Sequence, residues 1–211
     1  MYLTASRPDI MFAVSMCSRF QTAPKASHLI AVKRIFRYLK GKPALGLWYS
    51  NQPEFDLKAY SDADYGGCNL DRKSTSGGCQ FLGERLVSWQ CKKQSTVSVS
   101  TCEAEYIAAT SCCSQVLWIQ QQLRDYGYNY TNTPLLIDNK STISTIENPV
   151  QHSKTKHIEI RHHFIRDNAE KHLIDIQKVH TDDDCADLFT KAFDRARFET
   201  LVKMIGMYNP G

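Results

Sequence analysis

Four separated stretches of the chain carry acidic residues where a strand is expected to end or a helix to begin. They are YSDADYGG (60–67), STCEAEY (100–106), PLLID (134–138) and DDDCADLFTK (182–191). Acids at such positions point into the crevice beside a sheet, where α/β proteins bind ligands. Buried carboxylates repel one another and are costly when unpaired. Their convergence therefore favours a site for hard divalent cations, which take oxygen ligands.

Phosphoryl transfer is the chemistry that suits such a site. Magnesium keeps several waters and readily shares its ligands with phosphate groups. Two ions about 4 Å apart can activate a water and stabilise the leaving 3′ oxygen of a phosphodiester. The pattern therefore predicts metal-assisted chemistry on a phosphodiester.

Each acid also has an ordinary structural explanation. An aspartate at a strand end is commonly a turn former, and Asp138 with Asn139 can simply cap the next helix. Glu103 can be a first-turn acid that matches the helix dipole, and the acids at 182–184 fit the same description. Only the joint pattern over four elements favours a metal site. The pattern alone does not choose between Asp62 and Asp64, or between Glu103 and Glu105, as the ligand.

The hydrophobic pattern predicts the elements that must position these acids. Two helices, at 6–22 and 26–40, are followed by a short leading run and three strands in a meander. The later elements are a helix at 101–125, a strand at 134–138, helices at 140–146 and 155–170, a strand at 173–179, and helices at 182–192 and 195–206. This order predicts a mixed α/β sheet, antiparallel on one side and parallel on the other.

Positive charge is concentrated at the N-terminus. Residues 1–50 carry eight Lys or Arg against one acid, a net charge of +7, whereas the remaining residues carry −3. The first two helices predict a hairpin with an apolar seam and a basic surface suited to a polyanion. A solvated helix surface is the alternative explanation. The candidate contacts with nucleic acid are Lys33, Arg34, Arg37 and Lys40, together with Lys92 and Lys93 near Trp89.

Composition excludes several classes of protein. The chain has 211 residues, of which 42% are hydrophobic and 23% charged, which is typical of a globular domain and not of a disordered or collagen-like chain. It contains no apolar run of about 18 residues that would span a membrane. The N-terminus lacks the basic and apolar regions of a secretory signal. We therefore expect a soluble, intracellular protein.

Eight stretches, in order along almost the whole chain, resemble one known family. The family is the copia-type LTR-retrotransposon Pol polyproteins, in their C-terminal ribonuclease H region with the tail of the reverse transcriptase. The stretches are SRPDI (6–10), AVKRIFRYLKG (31–41), YSDADYGG (60–67), DRKSTSGG (71–78), STCEAEYIAAT (100–110), IDNKS (137–141), KTKHIEIRHHFIRD (154–167) and CADLFTK (185–191).

The resemblance implies a fold and a division of the chain. The implied fold is α/β, with a ribonuclease H-like mixed five-stranded sheet flanked by helices and preceded by the basic helical hairpin. The implied segments are a helical tail of the reverse transcriptase at 1–44, similar to a thumb or connection region, a ribonuclease H-like domain at 45–193, and a C-terminal helix and tail at 194–211.

The resemblance also implies an activity and a site. The activity is hydrolysis of the RNA strand of RNA–DNA hybrids during reverse transcription of the element RNA, with two Mg²⁺ or Mn²⁺ ions. Asp64 and His180 are candidates for an assisting role. The implied catalytic residues, which are also the metal ligands, are Asp62, Glu105, Asp138 and Asp187.

Two details bear on that assignment. Glu105 is preferred to Glu103 because the family has a small residue three positions after the ligand, and Ala108 supplies it. The family commonly has Gln where Asp184 stands, a departure that removes no ligand.

The expected partners are an RNA–DNA hybrid and the reverse transcriptase portion of the same polyprotein, with no membrane and no small-molecule substrate. The expected location is inside the cell, in a cytoplasmic virus-like particle or in the nucleus. One alternative is a catalytically inactive or unexpressed retroelement remnant that only binds nucleic acid. An integrase or another nuclease of the same fold is a third hypothesis, and it fits the stretch at 154–167 less well.

Overall fold

The computed structural model describes residues 2–51, 55–148 and 163–209. The helices are α1 (Met11–Ser18), α2 (Ala26–Gly41), α3 (Thr101–Asp125), α4 (Lys140–Glu147), α5 (His163–Glu170) and α6 (Arg195–Met204). The strands are β1 (Gly46–Leu47), β2 (Leu57–Asp64), β3 (Thr75–Leu82), β4 (Arg85–Lys93), β5 (Thr133–Ile137), β6 (Ile174–Lys178) and β7 (Met207–Tyr208).

The main sheet has five strands in the order β4-β3-β2-β5-β6. β2 pairs antiparallel with β3, and β3 with β4, as the three-strand meander predicts. β5 pairs parallel with both β2 and β6. The predicted fold class, a ribonuclease H-like mixed five-stranded sheet flanked by helices, is confirmed. The leading run forms β1, which pairs with β7 in a separate two-stranded sheet.

Two hydrophobic layers cover the two faces of the main sheet. Successive strand residues point to opposite faces, so Ala59 packs with α3 whereas Tyr60 packs with the C-terminal segment. The first layer contains Ala59, Leu135 and side chains of α3, α4 and α5. The second contains Phe81 and side chains of α6. The acid-bearing elements are therefore held from both sides.

The N-terminal helices form the predicted hairpin, but the apolar side chains of α2 are more exposed than the predicted apolar seam implies. No residue of α2 is buried, and Leu29, Ile30 and Phe36 are each more than half exposed. The 3₁₀ turn Tyr2–Ala5, which precedes the hairpin, is attached to the sheet, because Trp89 Nε1 donates to the Thr4 carbonyl oxygen at 2.9 Å.

The predicted division into segments 1–44, 45–193 and 194–211 stays a prediction, and packing crosses both boundaries. Ser15 Oγ of the hairpin donates to the Cys91 carbonyl oxygen of β4 at 3.4 Å. Leu201 and Ile205, from the C-terminal segment, are fully buried in the same layer as Phe81.

Some boundaries differ from the sequence-based expectations. The predicted helix at 182–192 is a pair of 3₁₀ turns, Thr181–Asp183 and Cys185–Phe189, because Asp184 between them has an extended backbone. Of the predicted helix at 155–170, only α5 falls within the described residues, and 155–162 lies outside them. In the part of the chain that the structure describes, no helix has the length and apolar character needed to cross a membrane.

Candidate metal centre

Asp62 lies near the end of the central strand β2 and is 3% exposed. β2 pairs with β3 on one side and with β5 on the other, which places Asp62 in the middle of the sheet. The Thr190 hydroxyl donates a short hydrogen bond to Asp62 Oδ2. The strand and this hydroxyl together fix the position of the Asp62 carboxylate.

Gly77 of β3, the residue opposite Asp62, allows the 3₁₀ turn Cys185–Phe189 and Thr190 to approach the sheet. A Cβ atom at this position would lie 2.6 Å from Thr190 Cγ2 and 2.7 Å from the Ala186 carbonyl oxygen. Both distances are shorter than van der Waals contact, so only glycine accommodates the 3₁₀ turn Cys185–Phe189 here. That turn carries Asp187 towards Asp62.

Glu105 lies in the second turn of α3 and is 6% exposed. Ala63, Ala104 and Ala108 form a small buried cluster between β2 and α3, and their size brings this helix close to the strand. Ala108, the small residue three positions after Glu105, therefore has a packing role.

The surroundings of Glu105 strongly favour its protonated form. Burial, followed by the charges of Asp62 and Asp138, raises the pKa of Glu105 to about 10, although the Ala63 backbone N–H donates to its carboxylate. Glu105 Oε2 is buried and has no hydrogen-bond partner among the described residues. A buried oxygen beside other carboxylates is what a hard cation would satisfy.

Asp138 directly follows β5. Asn139, the next residue, caps α4 by accepting from the backbone N–H groups of Ser141 and Thr142, so the cap does not need Asp138. The Thr181 hydroxyl donates to Asp138 Oδ2 at 3.1 Å. Asp138 is half-buried, and its carboxylate faces the two other acids.

These three acids converge. One carboxylate oxygen from each of Asp62, Glu105 and Asp138 lies within 4.8 Å of the other two. They come from β2, from α3 and from the end of β5, so the convergence is a product of the fold. We call this group the three-carboxylate cluster.

Asp187, the fourth predicted ligand, lies beside this cluster but is held by cations. Its Oδ1 pairs with Lys191 Nζ, and its Oδ2 lies 3.5 Å from Arg197 Nη2. Lys191 Nζ also lies 3.7 Å from Asp62 Oδ2. Burial, then the charge of Asp62, raises the pKa of Asp187 in spite of Lys191.

The remaining predicted acids have different positions. Asp64 is the last residue of β2, and burial raises the pKa of its carboxyl although Lys191 and Arg19 oppose that effect. Glu103 belongs to a helix cap: its backbone N–H donates to Ser100 Oγ, and its Oε2 accepts from the Val99 N–H. The Ser100 side chain caps α3, whereas the Glu103 side chain binds the residue before the cap, so the pair does not form a reciprocal capping box.

His180 lies at the start of the 3₁₀ turn Thr181–Asp183. Its Nδ1 accepts from the Asp182 N–H at 3.2 Å, and its side chain is 73% exposed. Thr181, the next residue, touches Asp138, which places His180 one residue from a contact with the cluster.

The predicted nucleic-acid contacts lie on two elements, α2 and β4. Lys33, Arg34, Arg37 and Lys40 are all exposed on α2. Lys92 is exposed at the end of β4, but Lys93 pairs with Asp71 at 2.6 Å, and this pairing lowers the pKa of Asp71 to about 2. Trp89 is partly buried and packs against the hydrophobic layer.

Sequence reasoning missed Thr190, Lys191 and Arg197 as residues of the centre. Lys191 had a signal, since a cation four residues after Asp187 often lies on the same side of a helical turn. Arg197 had none, because its contacts depend on how α6 packs against the turn at 181–183. Arg197 donates to the carbonyl oxygens of Asp182 at 2.7 Å and Thr181 at 3.0 Å.

Comparison with known sequences identifies close relatives. The chain is 39% identical over 207 residues to the retrovirus-related Pol polyprotein from transposon RE1 of Arabidopsis thaliana, and 36% identical over 207 residues to that from transposon TNT 1-94 of Nicotiana tabacum. Each match covers 98% of this chain. The chain spans only 14% and 16% of the length of these relatives. No protein-family model matches the chain.

Two solved structures resemble the chain at low identity. The N-terminal RNase H domain of rv2228c from Mycobacterium tuberculosis is 12% identical, with 70% of this chain and 98% of that chain covered and a TM-score of 0.46. LC11-RNase H1, isolated from compost by a metagenomic approach, is 11% identical, with 64% and 92% covered and a TM-score of 0.48.

Proposed function

The chain belongs to the copia-type retrovirus-related Pol polyproteins of transposons, and on that premise we propose that it is their metal-dependent endoribonuclease, which hydrolyses the RNA strand of RNA–DNA hybrids during reverse transcription of the element RNA. The observation that carries this proposal is the three-carboxylate cluster of Asp62, Glu105 and Asp138. A cluster of two buried acids and one half-buried acid on three elements serves the stability of the fold poorly, because like charges repel.

The donor set fits hard divalent ions. All the ligands are carboxylate oxygens, which Mg²⁺ and Mn²⁺ accept, and Glu105 Oε2 lacks another partner among the described residues. Asp62, Glu105 and Asp138 would hold one ion, and Asp187 with Asp62 would contribute to a second. Bound ions of this kind supply positive charge that activates water and stabilises a leaving oxygen.

The protein's own contribution is to fix the ligands before substrate arrives. The Thr190 hydroxyl orients Asp62, the Ala63 N–H orients Glu105, and the Thr181 hydroxyl orients Asp138. Neighbours that orient metal ligands typically change metal affinity or activity by about 10–100-fold when removed. These contacts hold the ligands of the first ion in place.

The proposed substrate is a hybrid duplex, with phosphate contacts from the basic side chains. Lys33, Arg34, Arg37 and Lys40 on α2 are all exposed, and Lys92 on β4 is exposed as well. Lysine and arginine at a surface supply the sequence-independent part of nucleic-acid affinity. The further partner is the reverse transcriptase portion of the same polyprotein, and we place the activity in a cytoplasmic virus-like particle or in the nucleus.

The test uses the purified chain and a hybrid whose RNA strand carries an end label. We expect labelled RNA fragments with Mg²⁺ or Mn²⁺, none with EDTA, and none from single-stranded RNA. Asp138→Asn should reduce the cleavage rate by about 1,000-fold, since several kcal/mol of charge stabilisation are lost at about 1.4 kcal/mol per tenfold. The matched control is Asp125→Asn, an exposed acid at the end of α3, which should cleave at the wild-type rate.

The outcomes separate the proposal from its alternatives. Unchanged cleavage by Asp138→Asn would rule out the site assignment. Salt-dependent binding of the hybrid by the wild-type chain, with no metal-dependent release of RNA, would identify a remnant that only binds nucleic acid.

A further inference from the structure

The acids of the centre differ in what faces them. In the three-carboxylate cluster, Asp138 and Asp62 accept from neutral hydroxyls, Glu105 has the Ala63 N–H, and Asp62 also lies 3.7 Å from one cation, Lys191 Nζ. Asp187, by contrast, has a cation on each oxygen, Lys191 on one side and Arg197 on the other. Among the described residues, Asp187 thus has two ion pairs in the centre.

Lys191 contacts two of the proposed ligands. Its Nζ pairs with Asp187 Oδ1 and lies 3.7 Å from Asp62 Oδ2, so one ammonium group serves both carboxylates. A positive charge is thus already present where Asp62 and Asp187 face each other.

The two cations on Asp187 are fixed to different degrees. Arg197 donates to the carbonyl oxygens of Thr181 and Asp182, and these bonds hold its guanidinium in place. The Lys191 side chain is 37% exposed, and its contacts, apart from the two carboxylates, include the ring of Phe193, 5.8 Å from Nζ. A flexible four-carbon side chain at the edge of the centre can move its ammonium group into water.

We propose that Lys191 is an internal cation that occupies the place between Asp62 and Asp187, so that the centre takes one divalent ion readily and a second only when the ammonium group withdraws. The inference rests on the proposed function, because it assigns the ligands in the same way. Lys191 stabilises the acidic centre without metal and weakens the second ion by like-charge repulsion. It thereby determines the concentration of metal at which both ions are present.

The experiment is a titration of the whole chain with Mn²⁺ alone, with free Mn²⁺ measured by electron paramagnetic resonance. For the wild type we expect two ions, the second bound at least about tenfold more weakly than the first, because a unit charge close to the second place repels it. Lys191→Met, which keeps the length of the side chain without its charge, should strengthen the second ion by about tenfold or more and leave the first within about threefold.

Two controls separate this effect from a general loss of charge. Lys191→Arg keeps the positive charge and should retain the weak second ion. Lys140→Met removes an exposed lysine two residues after Asp138, and it should change both affinities by less than about twofold because exposed charges are screened by solvent and salt. In EDTA, Lys191→Met should also melt at a lower temperature than the wild type, and Mn²⁺ should restore its melting temperature.

Each result has one meaning. Equal affinities for the two ions in the wild type, or an unchanged second affinity in Lys191→Met, would overturn the role of Lys191 while hybrid cleavage persists. Absence of any Mn²⁺ binding, together with absence of metal-dependent cleavage, would overturn the proposed function as well. If Lys191→Met does not fold, Lys191→Gln gives the same comparison with a polar side chain.

Discussion

The acidic centre and the basic helix α2 are built in opposite ways. At the centre, Asp62, Glu105 and Asp187 are each at most 6% exposed and come from three different elements. On α2, every proposed contact is exposed and comes from one continuous helix, of which no residue is buried. The centre thus depends on tertiary packing, whereas α2 displays its charges wherever the helix lies.

The difference determines what a substitution will do in each region. A change near the centre alters how closely the elements approach and which charges are buried, so both stability and chemistry respond. A change on the surface of α2 alters only the long-range field and the interactions with phosphate. Three variants test this distinction, from the largest expected effect to the smallest.

Gly77→Ala should be the most damaging of the three. The added methyl group would meet Thr190 Cγ2 at 2.6 Å and the Ala186 carbonyl oxygen at 2.7 Å, and the second of these atoms belongs to the backbone. Overpacking of this kind costs about 3 kcal/mol of the free energy of unfolding. We expect this loss in urea denaturation, together with lower hybrid cleavage, because the turn that carries Asp187 must move away from β3.

The matched control is Gly46→Ala. Gly46 also lies in a strand, and a Cβ atom there would have no other atom within 4 Å among the described residues. We expect a change below about 0.5 kcal/mol, as for surface substitutions. Equal losses for the two variants would show that the approach of the turn to β3 does not depend on Gly77.

The sheet could be predicted from the sequence because its signals are local. Alternating and continuous apolar runs in 57–64 and 133–137 indicate strands whatever surrounds them. The turns after β6 could not be predicted in the same way, since Asp184 has helix-compatible neighbours and yet an extended backbone. Its extended backbone is that of an N-cap, since its side chain accepts from the Ala186 N–H, whereas its burial depends on tertiary packing.

The candidate metal centre shows the same difference between local sequence signals and tertiary contacts. The acids were visible as residues at strand ends and helix starts, and the fold brings Asp62, Glu105 and Asp138 together. Arg197 was invisible as a partner, because its contacts arise only when α6 packs against the turn at 181–183. Lys191 had only its spacing of four residues from Asp187 as a signal, and its approach to Asp62 depends on tertiary packing. A resemblance that names ligands does not by itself report which cations face them.

Asp184→Asn should change the melting temperature by an intermediate amount that depends on pH. Burial, followed by the charge of Asp62, raises the pKa of Asp184 well above its ordinary value of 3.8, although the Ala186 N–H opposes the shift. The unfolded chain therefore loses this proton at lower pH than the folded chain, and the aspartate lowers stability increasingly as pH rises above about 4.

Asparagine cannot ionise, and it caps a helical turn as well as aspartate does. We therefore expect Asp184→Asn in EDTA to match the wild type near pH 4 and to melt at least about 2–4 °C higher at pH 8, the equivalent of 1 kcal/mol or more. Asp182→Asn, whose side chain is 80% exposed, should show no such trend. A gain at pH 4 as large as that at pH 8 would exclude ionisation as the cause.

The smallest effect on stability should come from α2, where Lys33→Gln with Arg37→Gln removes two exposed charges. The free energy of unfolding should change by less than about 0.5 kcal/mol per site, since neither residue is buried. Affinity for the hybrid should fall, and the slope of log K against log salt should decrease by about 0.9 for each phosphate that the variant no longer neutralises. Arg124→Gln with Lys171→Gln removes the same charge from exposed positions elsewhere and should leave that slope unchanged. If both pairs change the slope equally, hybrid binding responds to net charge alone, and α2 is not a specific binding surface.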